Sequence, residues 1–169
     1  EEHRQRAEPP DDVVTALLEV QEETESLDDR QIRDEVLTLL LAGHDTTALG
    51  LSFLWYLLGT HPEVQSRVVE EIDRTVGDGD PTGLEIADLA FTNRVITETL
   101  RLYPPAYLLT REPRSADAIG GYRIPEGSLI LINQWLFHRD GRFFENPDAF
   151  EPDRWSDGFE EDLHPFAYF

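Results

Sequence analysis

The stretch Leu39-Leu40-Leu41-Ala42-Gly43-His44-Asp45-Thr46-Thr47 decides how the rest of the chain is read. It sets an imidazole, a carboxylate and two hydroxyls inside one of the most apolar segments, directly after a glycine, where leucine would pack better. The segment around it, 28–60, reads as one long helix. Asp28 and Gln31 stand in a capping-box arrangement at its start, and the apolar positions thicken from Val36 to Leu58. The 25 residues from Val36 to Thr60 would suffice for a membrane span by length alone. A central aspartate, however, costs roughly 2.5–3.5 kcal/mol to insert, and His44 adds to that. The expectation is therefore a buried helix of a large soluble protein, with no membrane span and a cytoplasmic location. Within such a helix Thr46 can turn its hydroxyl back to the Ala42 carbonyl, which loosens or bends the helix locally. Gly43 would let something flat or bulky approach the backbone. A dent lined by an acid and an alcohol, and an ordinary helix crossing with satisfied polar groups, fit these residues equally well.

Composition narrows the function classes. The 169 residues are 40% hydrophobic and 29% charged, a folded profile for one domain with a modest core or for part of a larger one. Acids outnumber bases 35 to 14, a formal charge of −21, so nucleic acid is a poor partner. All 14 bases are arginine, which with the acid excess suggests adaptation to high salt. No cysteine is present, so disulfides, zinc–thiolate sites and a thiol nucleophile are excluded within these residues.

Around the long helix the periodicity predicts a short amphipathic helix over 11–25. A further helix follows from a Thr60 cap, with Pro62 and Glu63 in its first turn, to Val76 before Gly77. One helix or a pair covers 84–103, ended by Pro104 and Pro105. Short strands are expected over 107–112, 118–124 around Gly120 and Gly121, and 128–133, then a short helix over 135–139. The rest is aromatic, proline-broken and aperiodic. The expected fold class is mainly α with a small β region.

Glu98 and Arg101 lie three apart on a helical face and can pair. Their apolar setting, with Ile96, Leu100 and Leu102, means that such a pair needs further partners to offset desolvation, and Arg154 in Pro152-Asp153-Arg154-Trp155 could supply one.

Ala42-Gly43-His44-Asp45-Thr46-Thr47, Glu98-Thr99-Leu100-Arg101 and Pro152-Asp153-Arg154-Trp155, in this order and spacing, resemble the cytochrome P-450 family of haem-thiolate monooxygenases. The resemblance covers nearly the whole chain and implies a single partial domain, 1–169, of a cytochrome P-450 fold. Upstream helices and the cysteine-ligand loop would be absent, so the chain holds no metal ligand and would be inert alone. It further implies that Asp45 and Thr46 deliver protons to bound dioxygen. Gly43 and Arg111 would contact haem b, Arg111 through a propionate, a role that suits a guanidinium. Glu98, Arg101 and Arg154 would form the family's structural triad, and Ala42, Ala106, Tyr107 and Leu108 would line the substrate cavity. The implied reaction inserts one oxygen atom of O2 into a lipophilic substrate, with a fatty acid as one candidate. A separate ferredoxin or flavin reductase would supply electrons. A non-catalytic helical interaction module is the alternative.

Other motifs fail. His138-Arg139-Asp140 looks like a kinase catalytic loop, but Glu145 stands where asparagine is needed, and a surface turn is expected. Asp78, Asp80, Thr82 and Gly83 imitate a calcium loop whose twelfth position is Leu89 rather than glutamate. His3, His61 and His164 read as surface or capping histidines.

Overall fold

A computed structural model describes residues 10–24, 27–77, 79–156 and 158–168. His3, Glu25 and Asp78, named above, lie outside the described residues. The chain divides into two units, 1–47 and 48–169, each described by itself.

In the first unit, α1 spans Val13–Thr24 and starts where Asp12 Oδ1 accepts from Thr15 N at 2.9 Å. The long helix, α2, spans Asp29–Thr60. Its start is the capping box read from the sequence: Asp28 Oδ1 accepts from Gln31 N at 2.7 Å, and Gln31 Oε1 accepts from Asp28 N at 2.8 Å. Two of the orphan donors of the first turn are thereby satisfied. Gln21 Nε2 donates to Leu27 O and Asp29 Oδ1, tying the end of α1 to the start of α2. Ile32 is the buried apolar residue of this unit among the described residues.

The second unit holds the core. The end of α2 contributes Leu58, α3 (Pro62–Thr75) contributes Val64 and Val68, and α5 (Ala90–Leu102) contributes Phe91 and Val95. Leu54 and Phe150 pack against this cluster. Thr60 does not cap α3, as the sequence had led us to expect. Its hydroxyl donates to the carbonyls of Tyr56 and Leu57, because α2 runs to Thr60 and claims it, and His61 takes the cap position without a side-chain bond. Gly77, at φ +68°, follows the end of α3.

The 84–103 segment resolves into a pair of helices. The first is α4 (Gly83–Ala87), capped by a reciprocal Thr82–Glu85 box, and the second is α5, which has no side-chain cap from its own N-cap residue. Glu71 of α3 replaces that cap. Buried to 6% exposure, its carboxylate accepts from Phe91 N (2.8 Å), Thr92 N (2.7 Å) and Thr92 Oγ1 (2.7 Å). Burial pulls the Glu71 carboxyl up, but these bonds outweigh it and leave its pKa below the ordinary glutamate value.

Beyond α5, two antiparallel pairs form: β1 (Leu108–Arg111) with β4 (Ile130–Asn133), and β2 (Asp117–Ile119) with β3 (Tyr122–Ile124). Gly120 and Gly121, at φ +58° and +84°, make the two-residue turn of the second pair, a conformation that suits glycine. Then come α6 (Gln134–Phe137), a 3₁₀ turn (Pro152–Trp155) and α7 (Phe159–Asp162). The fold is mainly α with small β pairs, as the sequence implied.

Candidate functional site

On α2 the Thr46 hydroxyl donates to Ala42 O at 2.7 Å, the back-bond expected from the four-residue spacing. The helix nevertheless runs uninterrupted through Gly43–Thr47, and Ala42, Gly43, Asp45 and Thr46 are all exposed. The expectation of a buried stretch is therefore corrected for this chain. A single hydroxyl back-bond is absorbed without a break, and among the described residues no other element of the first unit covers this face. Leu39, Leu40 and Leu41 are 52–64% exposed beside it. A Cβ built on Gly43 would meet nothing within 4 Å, so the backbone there stands open to an approaching group. Asp45 and Thr46 are adjacent in sequence and so point about 100° apart on the helix. By length and composition α2 also suffices to cross a membrane, although none of its most apolar window is buried.

The second unit holds the remaining candidate residues. Ala106 and Tyr107 precede β1, which carries Leu108 and Arg111, and all four are exposed. Arg111 Nη1 donates to Thr110 O at 2.8 Å.

The structure brings Glu98, Arg101 and Arg154 together. Glu98 and Arg101, both 0% exposed, form a two-point ion pair: Arg101 Nε donates to Glu98 Oε2 and Nη2 to Oε1, each at 2.8 Å. Arg101 also donates to three carbonyls of the tail. Nη1 reaches His138 O and Pro147 O at 2.6 Å, and Nη2 reaches Ala149 O at 3.0 Å. Glu98 accepts from Arg154 Nε (3.2 Å), Glu151 N (3.0 Å) and Trp155 Nε1 (2.8 Å). Arg154 in turn donates from Nη1 to Glu145 O at 2.7 Å. Both buried charges are thus hydrogen-bonded on every side, which is the condition under which a desolvated pair is tolerable. The arrangement pins an aperiodic tail to α5.

Sequence reasoning missed two members of this network. One is the Trp155 indole of the Pro152–Trp155 motif, a half-buried N–H that needs a partner and finds it in Glu98 Oε2. His138 was read as part of a surface turn; it is 1% exposed, with Nδ1 3.2 Å from Arg101 O. Burial lowers its pKa and outweighs the contact with Arg101 O, which raises it, and the Arg101 and Arg139 charges lower it further. Asp140 of the same motif is half-buried and paired with Arg142. Among the described residues, no group of three or more His, Asp or Glu side chains could hold a metal ion.

Comparison with known proteins adds the family. The family model for cytochrome P-450 matches residues 1–169. The cyclooctatin synthase of Streptomyces melanosporofaciens is 42% identical over 146 residues, covering 85% of this chain and 32% of that protein. Cyclooctat-9-en-7-ol 5-monooxygenase of the same organism is 40% identical over 146 residues, with the same shares. Pentalenene oxygenase of Streptomyces avermitilis is 39% identical over 156 residues, covering 91% of this chain and 34% of that protein. The chain spans about a third of the length of these relatives.

Proposed function

This chain belongs to the cytochrome P-450 family, and from that premise we propose that the whole protein is a haem-dependent monooxygenase that inserts one oxygen atom of O2 into a lipophilic substrate. The carrying observation is the family match along residues 1–169.

The residues present fit haem at its edge only. Arg111 is an exposed cation with one bond, from Nη1 to Thr110 O, and its remaining donors can pair a propionate carboxylate bidentately. Gly43 leaves open space above the helix backbone. No cysteine is available to ligate iron, so these 169 residues do not complete the site and by themselves are expected to be inert. Haem, when bound in the whole protein, supplies the activation of dioxygen.

This chain's own share is proton handling. The Asp45 carboxylate, exposed to water, takes up protons. The Thr46 hydroxyl hands one on when it exchanges its bond to Ala42 O for an acceptor facing the helix. Glu98, Arg101 and Arg154 hold the tail against α5 and thereby the polypeptide that follows it. Ala42, Ala106, Tyr107 and Leu108 line the substrate space. Substrates of the class carried by the relatives' names, a cyclic olefin or alcohol, and a fatty acid chain are the two candidates. Electrons come from a separate ferredoxin or flavin reductase. The location is cytoplasmic with α2 internal, because Asp45 and His44 at mid-helix oppose insertion.

In the whole protein, Asp45→Ala and Thr46→Ala are each expected to leave haem bound while diverting reducing equivalents to hydrogen peroxide. Unchanged coupling in both variants refutes the relay role.

A further inference from the structure

The fold treats two of its buried arginines very differently. Arg101 satisfies its nitrogens with a two-point carboxylate and three carbonyls. Arg139, whose side chain is only 14% exposed, has one counter-charge. Its Nε lies 3.3 Å from Asp148 Oδ1, a carboxylate that is itself 86% exposed and so largely screened. Its Nη1 is shut off from solvent with no hydrogen-bond partner. Such a cation carries most of its desolvation cost uncompensated. It is also held in place, with its guanidinium carbon 4.3 Å from the Trp135 ring centroid and 5.8 Å from that of Tyr103. Burial depresses its pKa, and the neighbouring Arg101 charge adds to that, more than Asp148 raises it.

Arg139 borders a cavity of about 560 Å³, within the usual range of small-molecule sites. Leu57, Leu102 and Phe150 give it apolar walls, and Tyr103 an aromatic one. Of the two acids at its rim, Asp148 is the weak partner already described, and Glu151 is drawn off by Arg154 Nη2 at 3.0 Å.

We propose that this cavity is a second small-molecule site, separate from the Asp45–Thr46 helix face, which binds an apolar monocarboxylate with Arg139 as its anchor. The carboxylate pairs with the guanidinium edge and displaces Asp148, while the apolar body lies on the leucine and aromatic walls. A single negative charge fits better than a phosphate dianion, which would meet Asp148 and Glu151 at the rim with twice the repulsion. The inference stands independently of the monooxygenase reading.

Calorimetric titration of the whole protein at low salt tests it, with benzoate, benzyl alcohol and inorganic phosphate as probes, for the native protein, Arg139→Gln and Asp148→Asn. Benzoate is expected to bind about tenfold more tightly than benzyl alcohol or phosphate and to lose about tenfold in Arg139→Gln. Asp148→Asn removes the competing carboxylate from an exposed position that folding does not depend on, and is expected to tighten benzoate roughly threefold. Benzoate affinity unmoved by Asp148→Asn, equal binding of benzyl alcohol, or no benzoate binding overturns the proposal, whether or not Arg139→Gln folds.

Discussion

Replacing Glu98 with alanine is the sharpest test of how this fold holds its tail. The carboxylate accepts five hydrogen bonds while 0% exposed, and its loss leaves Arg101, also 0% exposed, without a counter-charge. Breaking a buried pair from one side costs about 3–5 kcal/mol. The orphaned Trp155 Nε1 and Glu151 N would each add about 1–3 kcal/mol if no water entered. Water can enter the space vacated by the side chain, so the lower end of the sum, about 4–6 kcal/mol, is expected. That is a large share of the roughly 5–15 kcal/mol that keeps a domain folded. At a urea slope near 2 kcal/mol/M, a loss of about 4 kcal/mol lowers the midpoint by about 2 M. Circular dichroism during urea titration of the whole protein reads this directly, and the carbon-monoxide difference spectrum should vanish with the lost fold. A midpoint within about 0.3 M of the native protein, or a normal spectrum, would show that the network is ornamental.

Three further outcomes are expected. Glu71 has a folded-state pKa below its ordinary value, so its contribution is complete above that ordinary value and lost as pH falls through the folded one. Glu71→Gln should therefore cost about 1–2 kcal/mol at pH 7 and progressively less as pH falls through the folded-state value, and a pH-independent difference in denaturation midpoint contradicts the interhelix cap. Asp140 is held down to about 2 by the Arg142 side chain and amide; Arg142→Gln should return its carboxylate NMR titration toward the ordinary range, and an unmoved midpoint means that the pair does not persist in solution. Thr82→Ala removes half of the α4 box and should speed amide exchange of Glu85 about fivefold, the equivalent of about 1 kcal/mol; unaltered exchange shows that α4 is held by packing instead.

What the sequence made legible was local. Asp28 with Gln31, Gly77 and the Pro104–Pro105 stop each act within four residues, and each marks an element boundary in the structure to within a residue or two, whereas the strand expected over 118–124 is two strands turned at Gly120 and Gly121. The helical spacing of Glu98 and Arg101 likewise fixed one face in advance. Glu71 as the cap of a helix 20 residues on, and Trp155 as a donor 57 residues from Glu98, leave no trace in spacing, because both depend on how elements pack. Thr60 shows the converse difficulty: one hydroxyl suited both the end of α2 and the start of α3, and propensity does not choose between them. For Leu39–Leu41, hydrophobicity says only that a surface wants cover.

The bonds that join α5 to the tail also set an order of assembly. The partners of Arg101 and Glu98 beyond α5 lie 37 to 57 residues away in the chain. Closing a loop of about 50 residues costs roughly 3–4 kcal/mol of chain entropy, more than any one of these bonds returns. They must therefore form together. Until residues 138–155 have been synthesised and can latch in one step, Glu98 and Arg101 stay hydrated on a finished helix, and the penalty for burying them is met only when every partner is at hand.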